Sequence, residues 1–413
     1  MTLRTSDHGA SAGSEVNAPA AWPPIAVLVL SFLTIVLDGY DTTAIAFVIP
    51  TLAREWGQAP SAFTPTLVAT SAGAVVGYML SGRLSAWLGR RRAIVTGVLV
   101  FALGSVATAA AASIPSLTAL RLLTGIGLGA VLPAAVSLSV AQFDPKRREV
   151  VAVAVIAGLS LGAVIGGLSG GWLIGHFGWT SVFVLGGILP LLLAPVLWFG
   201  LPTDRAAVTP GSPVAEGRVH ELWVSGLRLQ TGLIWGFAFL IFVSTYALQL
   251  WIPTLLLSYG FSPQQAPQGL AAFGVGGLLG AILLTVFSAV VGVFRVLPVL
   301  IAVSILAIVG AVYLALSGPV ALWVVGGMGL GLIAGCLGQA AMAVSLYEPA
   351  LRTSGVGWAA AMGRIGSIVG PMAGGLLLAS GQSARATILW ACAPALLAVC
   401  VVVMLGLLVR RPE

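Results

Sequence analysis

Two carboxylates and two guanidinium groups interrupt hydrophobic segments that are each long enough to cross a membrane. Asp38 and Asp41 stand three residues apart within residues 24–50, and Arg121 and Arg364 stand within two later segments. On insertion scales, each such charge costs about 2.5–3.5 kcal/mol at the centre of a bilayer. Intramembrane charges are typical of ion or substrate pathways, so these four side chains are the first candidates for a functional site.

The spacing of the two acids suggests a role in proton coupling. Asp38 and Asp41 are three apart, which predicts that they share one helix face, and Ser31 and Thr34 extend that face. Burial and a nearby arginine act in opposite directions on the charge of a carboxyl group, which suits a group that gains and loses a proton. Structural ion pairs that fix helix packing are the alternative, and Asp38 could equally be a partner that organises the helices.

The formal charges of the four side chains sum to zero, so an empty site that holds all four is neutral. One organic carboxylate that enters with one proton keeps the site neutral, whereas the anion alone does not. We therefore predict proton–carboxylate symport, with an aspartate carrying the proton and an arginine holding the anion. Arginine suits that role because its planar fork binds a carboxylate through two parallel hydrogen bonds.

The composition predicts a polytopic membrane protein built from helices. The 413 residues are 59% hydrophobic and 8% charged, and the mean hydropathy is +1.07. Segments of about 20 hydrophobic residues match the thickness of the hydrocarbon layer, and backbone groups in lipid must be satisfied within their own segment. About twelve such spans are predicted: 24–50, 62–82, 93–113, 116–140, 150–175, 180–200, 230–257, 268–290, 295–316, 319–345, 355–379 and 385–409.

The net charge of +7 is a topology signal and does not indicate a nucleic-acid partner. When the loops are assigned alternately to the two sides, one side carries fifteen of the 19 basic residues and the other carries two. The positive-inside rule then places both termini in the cytoplasm, and the expected location is a bacterial inner membrane. The first span is expected to act as an uncleaved insertion signal.

The chain divides into two related halves. The tetrapeptide IPTL occurs at residues 49–52 and 252–255, and a ladder of glycines in the fifth span recurs 208 residues later in the eleventh. We predict an all-α fold of twelve transmembrane helices in two pseudo-symmetric six-helix bundles, with a site between them near the bilayer midplane. The predicted divisions are a disordered cytoplasmic N-terminus 1–21, bundles 22–201 and 229–409, a cytoplasmic linker 202–228 and a cytoplasmic tail 410–413.

Enzyme chemistry is not expected. GLSLG at residues 158–162 matches a serine-hydrolase elbow, but it lies inside a hydrophobic helix and not at a strand-to-helix turn. The three cysteines have no paired spacing, so neither a disulfide framework nor a metal site is indicated. No cofactor is predicted, and protons are the coupling ion.

Several motifs resemble the major facilitator superfamily. GRLSAWLGRRR at residues 82–92 resembles its loop motif between the second and third helices, and RLLTGIGLGA at residues 121–130 resembles its fourth-helix motif. LDGYD in the first span, with YEPALRTSGVGW (347–358) and GRIGSIVGP (363–371), is similar to the aromatic acid/proton symporter family. This resemblance implies the major facilitator fold and proton-driven import of a monocyclic aromatic carboxylate, such as a hydroxybenzoate. It implies proton-coupling roles for Asp38, Asp41 and Arg121, and substrate binding by Arg121 and Arg364.

The loop motif also provides candidates for gating. By resemblance, Gly82, Gly89, Arg90 and Arg91 belong to the inward gate. The chain departs from the usual motif, with Ala86 in place of an acid and Trp87 in place of a base, so the gate is expected to be latched differently. In the eleventh span, Gly370 and Pro371 are interpreted as a local hinge.

Aromatic and amide side chains near the charged level are candidates for the ring of the substrate. The aromatic candidates are Tyr40, Tyr246, Trp251 and Trp358, and the amides that could bond a ring hydroxyl are Gln249 and Gln339. Helix packing or an interfacial position is the alternative for each of the aromatic residues.

Other transport classes remain open at this point. The chain could instead be a proton-coupled antiporter that exports drugs or metabolites, or it could carry another small organic anion. A membrane sensor that binds the acid without moving it is disfavoured by the absence of a signalling domain. The expected partners are a small aromatic acid, protons and the lipid bilayer, with the chain acting as a monomer.

Overall fold

The computed structural model describes residues 23–144, 147–203, 222–223, 227–314, 318–348 and 351–409. Within these residues, twelve spans are long and apolar enough to cross a membrane, which confirms the predicted number. Of the predicted divisions, the N-terminus, the tail and most of the linker lie outside the described residues. The helices are α1 (Pro24–Glu55), α2 (Thr64–Leu88), α3 (Arg90–Thr108), α4 (Ile114–Val140), α5 (Arg148–Phe177), α6 (Thr180–Gly200), α7 (Arg228–Leu256), α8 (Gln268–Val291), α9 (Val293–Tyr313), α10 (Pro319–Leu346), α11 (Arg352–Ala379), α12 (Ala384–Trp390) and α13 (Cys392–Val409).

The twelfth predicted span consists of two helices in succession. α12 ends at Trp390, and α13 begins at Cys392 after a single intervening residue, Ala391. Pro394 stands in the first turn of α13, where its missing N–H costs no helical hydrogen bond. The span is thus interrupted where a proline is tolerated, and it still crosses as one apolar segment of 25 residues, Ala384–Leu408.

The same helix pairs form in each half of the chain. α1 packs on α5 as α7 packs on α11, α2 packs on α4 as α8 packs on α10, and α3 packs on α6 as α9 packs on α13. The two halves therefore have corresponding arrangements, as the repeated sequence patterns predict. The predicted fold of two pseudo-symmetric bundles is confirmed.

The glycine ladders are close-packing positions, and their contacts repeat between the halves. A Cβ at Gly162 of α5 would collide with the carbonyl of Val36 on α1, and a Cβ at Gly370 of α11 would collide with the carbonyl of Val243 on α7. Small residues allow two helix backbones to approach this closely. The glycines that repeat in the sequence therefore make equivalent close backbone contacts in the two halves.

The halves meet each other through a second related pair of glycine contacts. Gly167 on α5 lies against Ala271 on α8, and Gly375 on α11 lies against Thr64 at the start of α2. Both contacts lie at the end of the bundle where α5 and α11 approach their C-termini. The predicted topology assigns this end to the side opposite the chain termini, and the bundle is tightly packed there.

Candidate functional site

A small cavity lies between the two halves, near the middle of the helices that line it. Polar side chains from both halves face this space. The polar lining residues are Asp38 and Thr42 from α1, Thr70, Ser71 and Tyr78 from α2, Tyr246 from α7, and Arg364 and Ser367 from α11.

Arg364 is held by two tyrosine hydroxyls within the cavity. Its Nη2 lies 2.5 Å from the hydroxyl of Tyr78, and its Nη1 lies 3.4 Å from the hydroxyl of Tyr246. The guanidinium also lies over the ring of Tyr78, 4.3 Å from the centroid. Both partners are phenols. In the described part of the chain, no carboxylate forms an ion pair with Arg364.

Asp38 brings an acid to the same cavity. It is 4% exposed, and its Oδ1 accepts a hydrogen bond of 3.0 Å from the hydroxyl of Thr42, one helical turn further along α1. No cation lies within ion-pair distance of Asp38 in the parts of the chain that are described. The cavity therefore contains one acid and one guanidinium that are not paired with each other.

Asp41 and Arg121 form a separate cluster inside the N-terminal half. Nη2 of Arg121 lies 2.8 Å from Oδ2 of Asp41, and both side chains are 0% exposed. The same nitrogen donates to the carbonyl of Asp41 at 3.1 Å, and the hydroxyl of Ser105 donates to Oδ1 of Asp41. The ring of Phe183 lies 5.4 Å from the guanidinium. The two charges are thus paired within this cluster, and Nη1 of Arg121 is left without a hydrogen-bond partner among the described residues.

The expectation that all four charges share one chamber needs correction. Asp38 and Arg364 line the cavity, whereas Asp41 and Arg121 do not. Positions three apart on a helix are about 60° apart around its axis, which lets Asp38 face the cavity while Asp41 faces α3 and α4. Arg121 does not line the cavity, and its Nε and Nη2 are bonded within the N-terminal half, so its role in binding the substrate stays a prediction.

Thr70 lies between the cavity and the sealed pair. It lines the cavity, and its hydroxyl oxygen lies 3.4 Å from Nε of Arg121. A movement of Thr70 at the cavity wall would therefore alter a contact of Arg121 in the ion pair.

Of the four aromatic candidates, Tyr246 alone lines the cavity. Tyr40 is buried and donates its hydroxyl to the carbonyl of Val182 at 3.2 Å. Trp251 is fully buried and donates from Nε1 to the carbonyl of Pro371 at 2.9 Å. Trp358 is 40% exposed and stacks on Trp235 with the ring centroids 5.5 Å apart. These three residues pack helices together, which was the alternative interpretation.

Neither of the two amide candidates lines the cavity. Gln249 is partly buried on α7. Gln339 on α10 is 7% exposed, and its Oε1 has no hydrogen-bond partner among the described residues. An amide oxygen that is buried without a partner is unusual, so Gln339 keeps an unused acceptor close to the core of the C-terminal half.

Sequence reasoning missed most of the polar cavity wall. Tyr78 is the largest omission, and Thr42, Thr70, Ser71 and Ser367 are the others. The recurrence of Thr42 four residues after Asp38 could have indicated that it shares the face of that acid. No comparable signal marks Tyr78, since its helix is apolar on several sides.

The gating candidates lie at the end of α2 and the start of α3, and their role in gating stays a prediction. Gly89 has φ +82°, which L side chains rarely adopt, and it connects α2 to α3. Arg91 lies over the ring of Trp198 at 4.9 Å, Arg90 follows Gly89 at the start of α3, and Gly82 has open space around it. The corresponding turn in the second half contains Gly292, with φ +85°.

The proposed hinge at Gly370 and Pro371 is part of a continuous helix. α11 runs through both residues without a break. Gly370 is in close contact with α7, and the carbonyl of Pro371 accepts the bond from Trp251. The structure gives both residues packing contacts, and their role in gating stays a prediction.

Across the described ranges, no group of three or more His, Cys, Asp or Glu side chains is arranged to hold a metal ion. The described cavity lining supplies one guanidinium, Arg364, and one carboxyl group, Asp38.

Comparisons with known proteins agree with this architecture. The chain is 32% identical to a gallate transporter of Pseudomonas putida, with 88% of each chain covered. It is 33% identical to a 4-hydroxybenzoate transporter of the same species, with 92% of each chain covered. Among solved structures, the nucleoside transporter NupG superposes with a TM-score of 0.73 at 16% identity, covering 92% of this chain and 99% of that one.

The family comparison confirms the expectation of a transporter over an enzyme. The family described as the Major Facilitator Superfamily matches residues 31–345, which is most of the chain. The twelve spans, the repeated helix pairs and the cavity between the halves are the features that this match predicts. The protein belongs to the major facilitator superfamily of membrane transporters.

Proposed function

We propose that this protein imports a monocyclic aromatic carboxylate together with a proton. The observation that carries the proposal is the state of Arg364, a partly buried arginine in the cavity between the halves whose guanidinium is bonded to phenols and, among the described residues, not to a carboxylate. An incoming carboxylate can replace those phenols with a stronger, charge-assisted pair of hydrogen bonds.

Asp38 is the proposed proton carrier. It faces the same cavity as Arg364 and has one hydroxyl partner, Thr42. When the substrate anion is bound at Arg364, a proton on Asp38 restores the net charge of the cavity to its empty value. This assignment refines the charge balance predicted from four groups, because Asp41 and Arg121 already neutralise each other.

The aromatic nature of the substrate is supported by the relatives and by the cavity wall. Two relatives that match most of the chain are named as transporters of gallate and of 4-hydroxybenzoate. The rings of Tyr78 and Tyr246 line the cavity with several aliphatic side chains, which suits a flat ring that bears a carboxylate. Alternating exposure of this site to the two sides is proposed on the basis of the pseudo-symmetric halves.

The test is uptake into proteoliposomes that contain only this protein. Labelled 4-hydroxybenzoate or gallate should accumulate above its external concentration when the pH is lower outside, and a protonophore should abolish the accumulation. Asp38→Asn should lose accumulation but retain counterflow exchange, which needs no net proton movement. Equal accumulation by the variant and the wild type would contradict the role of Asp38, and substrate extrusion driven by the same gradient would identify an antiporter.

The membrane placement and assembly state are part of the proposal. We place the protein in the bacterial inner membrane as a monomer, and the distribution of basic residues supports a cytoplasmic position for both termini. Reporter fusions at each terminus test the orientation, and the mass of the detergent-solubilised protein tests the assembly state.

A further inference from the structure

A second concave feature lies on the outside of the N-terminal half, between α2, α3 and α4. This groove shares no lining residue with the cavity between the halves. Most of its wall is apolar, and two of its residues, Leu80 and Trp87, are 43% and 83% exposed. The wall consists of Leu80, Leu84, Trp87, Thr96, Gly97, Val100, Ile126, Gly127 and Ala130, with Arg83 as its charged member.

The groove has a basic end. Arg83 lines it from α2, and Trp87 follows one helical turn later. On α3, Arg92 precedes the lining residue Thr96 by one turn, which places it on the same side of that helix. The predicted topology assigns this end to the cytoplasmic surface, where an indole suits the level of the lipid headgroups.

Among the described residues, the two arginines have no protein partner. Neither Arg83 nor Arg92 has a hydrogen bond or an ion pair in the described part of the chain, and both are exposed. By contrast, Arg91 between them is turned inward, where its guanidinium lies 4.9 Å from the ring of Trp198. The motif that usually has an acid and a base here has Ala86 and Trp87, so the helix itself supplies no local counter-charge.

We infer that the groove binds an anionic glycerophospholipid of the cytoplasmic leaflet. An acyl chain fits the apolar wall, the phosphate lies between Arg83 and Arg92, and the indole of Trp87 packs at the glycerol level. Free phosphate would leave the apolar wall unused, and a zwitterionic lipid would bring no net charge to the two arginines. Basic pockets between transmembrane helices on the cytoplasmic side are a known type of lipid site.

The experiment compares lipids by the stability of the purified, delipidated full-length protein in detergent. We measure the Tm with phosphatidylglycerol, with phosphatidylcholine of the same chains and with inorganic phosphate. A ligand that binds the native state raises the Tm. Phosphatidylglycerol should give a rise at least about twice that of phosphatidylcholine, inorganic phosphate should give none, and native mass spectrometry should show one retained phosphatidylglycerol.

Variants separate a defined site from general attraction to a charged surface. Arg83→Gln with Arg92→Gln should reduce the effect of phosphatidylglycerol to that of phosphatidylcholine. The matched control is Arg295→Gln, an exposed arginine near the start of α9, 203 residues after Arg92; it should keep the full effect. Val100→Phe fills the apolar wall, leaves both arginines in place and should also remove the preference.

Three results would overturn the inference. The first is equal stabilisation of the wild type by the two lipids, and the second is the same loss from Arg295→Gln as from the double variant. The third is a full phosphatidylglycerol effect in Val100→Phe, which would indicate surface charge alone. If the double variant gives too little protein, Arg83→Gln alone is compared with Arg295→Gln, with the same two outcomes.

Discussion

The hydroxyl of Tyr78 on α2 lies 2.5 Å from Nη2 of Arg364 on α11, so one side chain from each half meets in the cavity. The ring of Tyr78 also lies 4.3 Å from the guanidinium. A phenol thus occupies the position on Arg364 where the proposed aromatic carboxylate would bind. Under the proposed function, Tyr78 is a competitor that the substrate must displace from Arg364.

Replacing Tyr78 with Phe should strengthen substrate binding. The variant keeps the ring but removes the hydroxyl, so a donor of Arg364 is left unbonded until an anion arrives. A hydrogen bond to a charged group is worth about 1.5–3 kcal/mol, and we expect part of this to appear as an increase in affinity of about tenfold. Equilibrium binding of labelled 4-hydroxybenzoate to purified protein measures the change.

Tyr246→Phe is the matched control for this prediction. The hydroxyl of Tyr246 lies 3.4 Å from Nη1 of Arg364, and a longer bond is a weaker one. Its removal should therefore change the affinity less than Tyr78→Phe does. A loss of affinity in Tyr78→Phe would show instead that this hydroxyl contacts the bound anion.

Arg364→Lys should weaken substrate binding more than it reduces the amount of folded protein. Lysine keeps the charge but loses the planar fork that binds a carboxylate through two hydrogen bonds. We expect KM to rise by about tenfold or more, with membrane expression close to that of the wild type. Arg385→Lys, at the start of α12, is the control and should leave KM unchanged. A fall in expression without a change in KM would identify a structural arginine.

Asp41→Asn should destabilise the protein because it leaves the charge of Arg121 buried without its partner. Breaking a buried ion pair from one side costs about 3–5 kcal/mol, which should appear as a lower Tm in detergent. Neutralising both partners, with Asp41→Asn and Arg121→Met, should restore much of the stability. If the single and double variants have the same Tm, the pair does not stabilise the N-terminal half.

The double variant also separates stability from coupling. If Asp41 participates in proton coupling, as its motif implies, the stabilised double variant should still fail to accumulate substrate. Accumulation at the wild-type level would assign the pair to structure alone.

Gly370→Ala should reduce the yield of folded protein. The added methyl group would meet the backbone of Val243 on α7, and two packed helix backbones yield less easily than a flexible side chain. Gly232→Ala on α7 is the control, because nothing lies within 4 Å of a Cβ at that position. Detergent-extracted yield, followed by size-exclusion chromatography, measures the difference. Equal yields would show that α7 and α11 can separate at this level.

The number of spans, the repeat and two members of the charged cavity could be predicted from the sequence. Intramembrane Asp38 and Arg364 are identified by their cost in lipid, which needs no knowledge of packing. The glycine ladders follow from their spacing in α5 and α11. These features depend on local composition, so one chain is enough to find them.

Most residues of the cavity wall could not be predicted from the sequence. In a membrane helix, the face toward lipid and the face toward another helix are both apolar, so periodicity does not show which side faces the cavity. Tyr78 was missed for this reason. Trp251 was assigned to the cavity because it lies near the charged level. In the structure its indole N–H, which needs an acceptor when it is buried, donates to the carbonyl of Pro371. Asp41 was assigned to the cavity on the basis of its spacing, and a rotation of about 60° directs it toward Arg121.

The paired contacts of Gly167 with Ala271 and of Gly375 with Thr64 have a consequence for the energetics of opening. No charged side chain takes part in either contact, so this seam can separate without exposing an unpaired ion. The proposed alternating exposure of the site requires both contacts to be released together. A seam of small side chains and backbone is compatible with two conformations close in free energy, whose balance the binding of one solute can shift.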